Sequence, residues 1–340
     1  MVKNTTISED VPITADHVAK AAGVSRWTVN RAFRRDASIS DKSREKVLAA
    51  AAKLGYAPDL LASSLASDRS NLVALLVDDF GNPHKMVMIE QLTRILRSSG
   101  WDSLLVNMLS ESDAPDALVN ASQRRVDATI LLGVEFGETV LATAQGARKI
   151  KKLIVFARSS DNPDTISIST DDEIAIGEIA DYCFQKGYRA PLFVAGPETL
   201  FAHVARQDIF CSLWHQKTGA TPPVIRTSAY DSRLSYKAVE QHLETLEETG
   251  RPDVLVCEND ALAIGAIDAI RHRLNLRVPE DIAVIGFDDV PLASNPNYDL
   301  TTYRQPIETM AEYMIEVLEN RVESELSQIF KGQLIIRHSA

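Results

Sequence analysis

The chain has 340 residues, 45% of them apolar and 24% charged, which is enough for two or three buried cores and excludes a disordered or collagen-like chain. The net charge of −11 excludes a uniformly basic nucleic-acid binder, but residues 20–56 carry nine Lys/Arg against three Asp/Glu. That segment is +6 and the remainder −17, so a small basic module joined to a large acidic body is the better description.

Residues 1–13 have no apolar run of the signal-peptide kind, and no stretch reaches the roughly 18 apolar residues of a membrane span. With Cys183, Cys211 and Cys257 isolated and without metal spacing, the expectation is a cytoplasmic protein with reduced thiols and no metal or cofactor. Three short helical patterns follow. Thr14 caps the first, which stops at Gly23; Ser25 caps the second; Ser40 caps the third, which ends at Gly55 and points Val47, Leu48, Ala51 and Leu54 inward. Helix, short glycine turn and helix is the helix-turn-helix pattern. The second helix buries Val29, Ala32 and Phe33. Its other side carries Arg26, Trp27, Asn30, Arg31 and Arg34. Arg and Asn are the side chains that hydrogen-bond base edges, and an indole offers a flat apolar face to thymine methyls or sugars. The plainer alternative folds Trp27 back onto the linker or the third helix.

Residues 59–70 are Ser/Ala-rich and read as a linker. If helical, they put Ala62 and Leu65 on one face, and Leu65 could wedge between base steps. A passive tether is the alternative. From Leu72 onward, apolar runs at 72–77, 104–107, 128–132, 153–156, 192–195, 254–257 and 282–287 alternate with helical stretches at 83–99, 172–186, 200–217, 234–248 and 259–274. A short strand is expected at 334–336. This βαβ texture predicts parallel sheets covered by helices. About 270 residues exceed one such sheet, so two α/β subdomains with a ligand between them are expected. Polar residues cluster where strands end: Asp78, Asp79 and Asn82, then Arg158, then Asp171 and Asp172, then Asn259 and Asp260, then Asp288 and Asp289, with Arg206 on a helix. Helix capping is the competing role, above all for Asp171, Asn259 and Asp260. No phosphate loop, nucleophile elbow or metal-spaced histidine pair is present, which argues against an enzyme.

In combination, HVAKAAGVSRWTVNRAF, SDKSREKVLAAAAKLGYAPDLLASSL, VDDFGNP, RPDVLVCEND, VPEDIAVIGFDDVPLA, LTTYRQP and IIRHSA resemble the LacI/GalR family of transcriptional regulators over residues 14–340. The resemblance implies a helix-turn-helix domain (14–57), a hinge (58–70) and a periplasmic-binding-protein-like effector and dimerisation domain (71–340). The last divides into one subdomain of about 71–168 plus 300–325 and another of about 169–299 plus 326–340, joined by three crossovers. It further implies a homodimer on pseudo-palindromic double-stranded DNA. Arg26, Trp27 and Arg31 would contact bases, Thr28 and Asn30 phosphates, and Ala62 and Leu65 the minor groove. A sugar-like effector would meet Asp79, Asn82, His84, Arg158, Arg206, Tyr230, Asn259, Asp260 and Asp288. The expected function is a repressor whose DNA affinity the effector controls, with activation or corepression as the alternatives. A binding protein of the periplasmic type and a sugar-processing enzyme are the rivals from other classes. The chain departs from the family pattern at His84 and Lys85, where aromatics are usual; at Ala157 and Ser63; at Asp172 and Asn30; and at Ile209, the usual glycine. His84 and Lys85 could favour a phosphorylated or carboxylated sugar, or simply face solvent.

Overall fold

Caps and glycine stops cut the N-terminal segment into α1 (Ala15–Ala22), α2 (Arg26–Ala32) and α3 (Asp41–Leu54). The computed structural model describes residues 13–33, 37–58, 69–108, 113–133, 151–198, 202–203, 205–322 and 326–340. Thr14 opens α1, its backbone N–H donating to His17 Nδ1 at 3.1 Å. Ser25 Oγ accepts from Thr28 N at 3.1 Å, and Ser40 Oγ from Ser43 N at 3.3 Å. Gly23 ends α1 at φ 63°, a conformation that costs a side-chain-bearing residue strain. The helices close on Val18, Ala22, Val29, Ala32, Val47 and Ala51. Leu48 differs from expectation: it is 42% exposed. Val47 and Ala51 define the buried stripe of α3, and the next residue lies about 100° around the helix from Val47.

The chain divides into two units, Met1–Ser70 and Asn71–Ala340. The second contains, in order, β1 (Leu72–Val77), α4 (Pro83–Ser98), β2 (Asp102–Asn107), α5 (Ala114–Gln123), β3 (Ala128–Leu132), β4 (Leu153–Phe156), β5 (Ser159–Ser160), β6 (Ile166–Thr170), α6 (Asp172–Lys186) and β7 (Pro191–Ala195). There follow β8 (Ala202–His203), α7 (Arg206–Thr218), β9 (Val224–Arg226), α8 (Ser232–Glu244), β10 (Val254–Cys257), α9 (Asp260–Asp268), β11 (Ala283–Asp288), β12 (Thr301–Arg304), α10 (Ile307–Leu318), β13 (Gln328–Phe330) and β14 (Gln333–Ile335).

Two six-stranded sheets result, ordered β13-β6-β4-β3-β1-β2 and β14-β12-β11-β10-β7-β9. All pairings within them are parallel except β12 with β14. Helices cover both faces, so alternate residues of one strand enter different cores. Val73, Leu75 and Val77 of β1 meet α4 and α10, while Ala74 and Leu76 meet α5. In the second sheet α8 and α9 cover one face and α6 and α7 the other. Burying each Leu or Val of these strands contributes roughly 1.5–3 kcal/mol.

The chain passes between the sheets after β6, after β12 and after β13. The second and third passages come later than the expected positions near 300 and 326. β12 completes the second sheet before the chain leaves it, and β13 still pairs with β6 in the first. The expected helix at 200–217 begins only at Arg206, because β8 occupies 202–203 and pairs antiparallel with β5. Among the described residues, no helix is long and apolar enough to cross a membrane.

Candidate functional site

In α2 the interior face is closed, with Val29 0% and Ala32 2% exposed. The opposite face presents Arg26, Asn30 and Trp27, the last 64% exposed. The Arg31 guanidinium carbon lies 4.2 Å from the centroid of the Trp27 ring, and Arg31 Nη2 donates to the Ser38 carbonyl. Arg26 Nη1 lies 3.4 Å from Asp16 Oδ2, an exposed pair worth little in water. Thr28 Oγ1 is 2.9 Å from Ser25 Oγ, beside the cap. Arg34, Ala62 and Leu65 lie outside the described residues.

The second site is a cleft of about 380 Å³, open mouth included, in the Asn71–Ala340 unit. It forms where β1, β4, β10 and β11 end, as expected for parallel sheets with a ligand crevice at the carboxyl ends of their strands. Seven of the nine expected residues line it: Asn82, His84, Arg158, Arg206, Tyr230, Asn259 and Asp288. Asp79 and Asp260 do not. Asp260 is 0% exposed, and both its oxygens are taken, by Thr302 Oγ1 at 2.6 Å and Val290 N at 2.8 Å. Burial holds its carboxyl well above the usual range. It ties α9 to β12 and the loop after β11. Asp79 sits at φ 49° with its carbonyl accepting from Asn82 N, and burial pushes its carboxyl up to about 6.

The lining also takes in Lys85, Met88, Phe156, Ala157 and Gln305, which the expected site omits. Lys85 is buried, with Nζ donating to the Leu132 carbonyl at 3.0 Å and lying 3.4 Å from Asp78. His84 is 3% exposed, so neither departure from the family pattern faces solvent.

Arg206 is held from three sides. Nε donates to Asp172 Oδ1 at 3.1 Å, Nη1 donates to the Glu258 carbonyl at 2.9 Å, and the guanidinium carbon lies 3.4 Å from the Phe287 ring centroid. Tyr230 is fixed by Glu258 Oε1, to which its hydroxyl donates at 3.2 Å. It packs so close to Gly196 that a Cβ there would come within 2.2 Å of its ring. Asn82 and Asn259 do cap helices: Oδ1 of each accepts a backbone N–H at 3.0 Å, from His84 and Leu262.

Gln305 joins the two lobes across the cleft. Its Oε1 accepts from Thr170 Oγ1 at 2.8 Å, which turns its amide nitrogen toward Asp288 Oδ1 at 2.7 Å and His84 Nε2 at 3.2 Å. The amide nitrogen can only donate, so His84 Nε2 accepts and the proton of the neutral ring is assigned to Nδ1. His84 Nδ1 and Arg158 Nη1 are both buried without a hydrogen-bond partner.

Burial lowers the His84 pKa from 6.5; the Asp288 carboxylate, the next influence in size, pulls it up, and the charges of Arg206, Lys85 and Arg158 push it down. The unfolded chain therefore takes up this proton first. The stabilisation is complete above about pH 6.5 and is lost as pH falls below it. Glu258 and Asp260, raised by burial, act with the opposite sign, so the informative quantity is a difference. His84→Gln should lose Tm less steeply than the wild type between about pH 7 and 5. Parallel Tm profiles would show that His84 does not titrate on unfolding.

The profile for the bacterial regulatory proteins of the lacI family matches residues 14–59, which span α1–α3, and a periplasmic-binding-protein-like domain profile matches residues 180–340. The N-terminal unit is similar to the bacterial regulatory proteins of the lacI family. Curated relatives include the HTH-type transcriptional repressor PurR of Proteus mirabilis, 29% identical over 314 residues, covering 91% of this chain and 90% of that protein. The ribose operon repressor of Escherichia coli is 28% identical over 325 residues, 94% of this chain and 96% of that protein. The fold is that of the lac repressor in its crystal structure with ONPG: TM-score 0.80, 23% identity, covering 97% of this chain and 100% of the other.

Proposed function

We propose that the chain is a transcriptional repressor, a cytoplasmic homodimer without catalytic activity or resident cofactor, whose affinity for a pseudo-palindromic operator is set by a small sugar-like effector. Residues 14–57 read DNA, 58–70 link, and 71–340 bind effector and dimerise. The observation that carries the reading is the cleft: it closes on two buried donors, His84 Nδ1 and Arg158 Nη1, that no protein group satisfies. Such groups cost about 1–3 kcal/mol each while unpaired, and a bound ligand recovers that. The exposed face of α2, with Arg26, Trp27, Thr28, Asn30 and Arg31, supports the DNA-reading half, as do relatives that are themselves repressors.

The mechanism is linkage. An effector that binds one arrangement of the lobes more tightly than the other shifts the population, and the factor by which it changes operator affinity is the factor by which operator changes effector affinity. Gln305, bridging Thr170, His84 and Asp288, is placed to sense that rearrangement.

The test is a selection of bound duplexes from random DNA, followed by titration of the selected site with and without a panel of monosaccharides and their derivatives. A specific site whose affinity falls with one sugar is expected. Affinity that rises with it makes the protein corepressor-controlled; sugar binding without any DNA preference makes it a binding protein and overturns the reading.

A further inference from the structure

Donors outnumber acceptors in the cleft. Asn82 and Asn259 each spend one lone pair of Oδ1 on a helix cap, which leaves the amide N–H groups as their freest contacts for a ligand. Arg206 and Arg158 are donors by nature, and His84 presents Nδ1–H because Gln305 occupies Nε2. The Tyr230 hydroxyl donates to Glu258. Asp288 is the one carboxylate in the lining, and its Oδ1 already accepts from Gln305. The cations differ as well. Lys85 has Asp78 at 3.4 Å and Arg206 has Asp172 at 3.1 Å, whereas among the described residues Arg158 has no salt-bridge partner. It lies 5.5 Å from the centroid of the Tyr230 ring and hydrogen-bonds that side chain, with the Asp79 and Glu258 carboxyls in electrostatic reach but Nη1 buried and unsatisfied. A ligand that seals this cleft without an acceptor for Nη1 leaves that donor unpaired, which is costly; an anionic oxygen would complete it with a charge-assisted hydrogen bond.

We propose that the effector is an acidic monosaccharide, a sugar carboxylate or sugar phosphate, whose anionic group is received by Arg158 and His84 Nδ1 while Asp288 accepts from its hydroxyls. This rests on the reading of the cleft as the effector site. The donors around it set a preference for acceptor-rich ligands, and the open Nη1 of Arg158 sets the place of the anionic group.

The test is calorimetry on the full-length protein at constant ionic strength. The probes are matched sets: glucose, glucuronate and glucose 6-phosphate; galactose, galacturonate and galactose 6-phosphate; ribose and ribose 5-phosphate; and inorganic phosphate alone. One acid should bind at least about tenfold more tightly than its neutral counterpart, with carboxylate and phosphate arms telling the two sources apart. Arg158→Gln should bring acid and neutral sugar to within about twofold of each other, with Tm and operator affinity retained. A neutral sugar that outcompetes its acids overturns the proposal and leaves the effector reading standing. Inorganic phosphate binding as well as the sugar phosphate overturns the sugar component. No binding to any probe overturns both.

Discussion

Replacing Arg206 by Ala is expected to abolish the response to effector while operator affinity in the absence of effector stays as in the wild type. The guanidinium lies over the Phe287 ring and is pinned by Asp172 and the Glu258 carbonyl, at 5% exposure. Its position is therefore fixed before ligand arrives, and no ordering cost is left for binding. Loss of a charge-assisted hydrogen bond removes about 1.5–3 kcal/mol, and loss of the surface that Arg206 supplies beside Phe287 adds to it, so effector Kd should rise by about a hundredfold or more. Arg206→Lys keeps the charge but not the planar fork, and should recover only part. Calorimetry with the effector and an operator titration measure the two halves separately. Unchanged ligand affinity in Arg206→Ala would place the effector elsewhere, and a parallel loss of operator binding would mean that the substitution damages the fold.

What the sequence shows and hides in this molecule follows from where hydrogen-bond partners lie along the chain. β1, β4 and β10 are legible because parallel strands buried on both faces are apolar at every position. β6 is as buried as they are, yet reads Ile-Ser-Ile-Ser-Thr. Ser167 and Thr170 are tolerated inside because Ser167 Oγ accepts from Ser160 N and Thr170 Oγ1 donates to Gln305, a residue 135 positions away. β12 is hidden in the same way: Thr301 reaches the Arg337 carbonyl and Thr302 reaches Asp260. The candidate site divides along the same line. Residues ending strands, such as Asn82, Arg158, Asn259 and Asp288, could be read as convergent once the strands were in place. Asp260, adjacent to Asn259 and of the same polarity, could not be told from a ligand group without its partner 42 residues on. Gln305 has three partners, at 84, 170 and 288, and no local pattern marks it.

Trp27→Ala should relax operator preference at one symmetric pair of base positions and weaken binding to the best site, with thermal stability nearly unchanged. The argument begins with what the indole does not do. The core of its unit is closed by Val18, Ala22, Val29, Ala32, Val47 and Ala51, and Trp27 is not part of it. At 64% exposure it contributes little to folding, so its removal belongs with surface substitutions, within about 0.5 kcal/mol. What it does touch is Arg31, whose guanidinium stacks at 4.2 Å on the ring. That contact restricts a long side chain on the face that would meet DNA, so the indole both offers its own apolar surface and orients a neighbouring donor. Losing a base contact costs roughly 1–3 kcal/mol, or about 10–100-fold in affinity for the preferred site, and leaves binding to unrelated DNA unchanged. Phosphate contacts behave differently: their loss weakens all sequences alike and lowers the salt dependence. Arg31→Ala should repeat part of the Trp27→Ala effect, and the double variant should fall short of the sum, because the stack is shared. Affinity and preference are read from titrations of a site and its single-base variants at fixed salt, and stability from thermal melting. A drop in Tm with preference retained would mean that Trp27 serves packing, and strictly additive losses would mean that the stack with Arg31 plays no part in recognition.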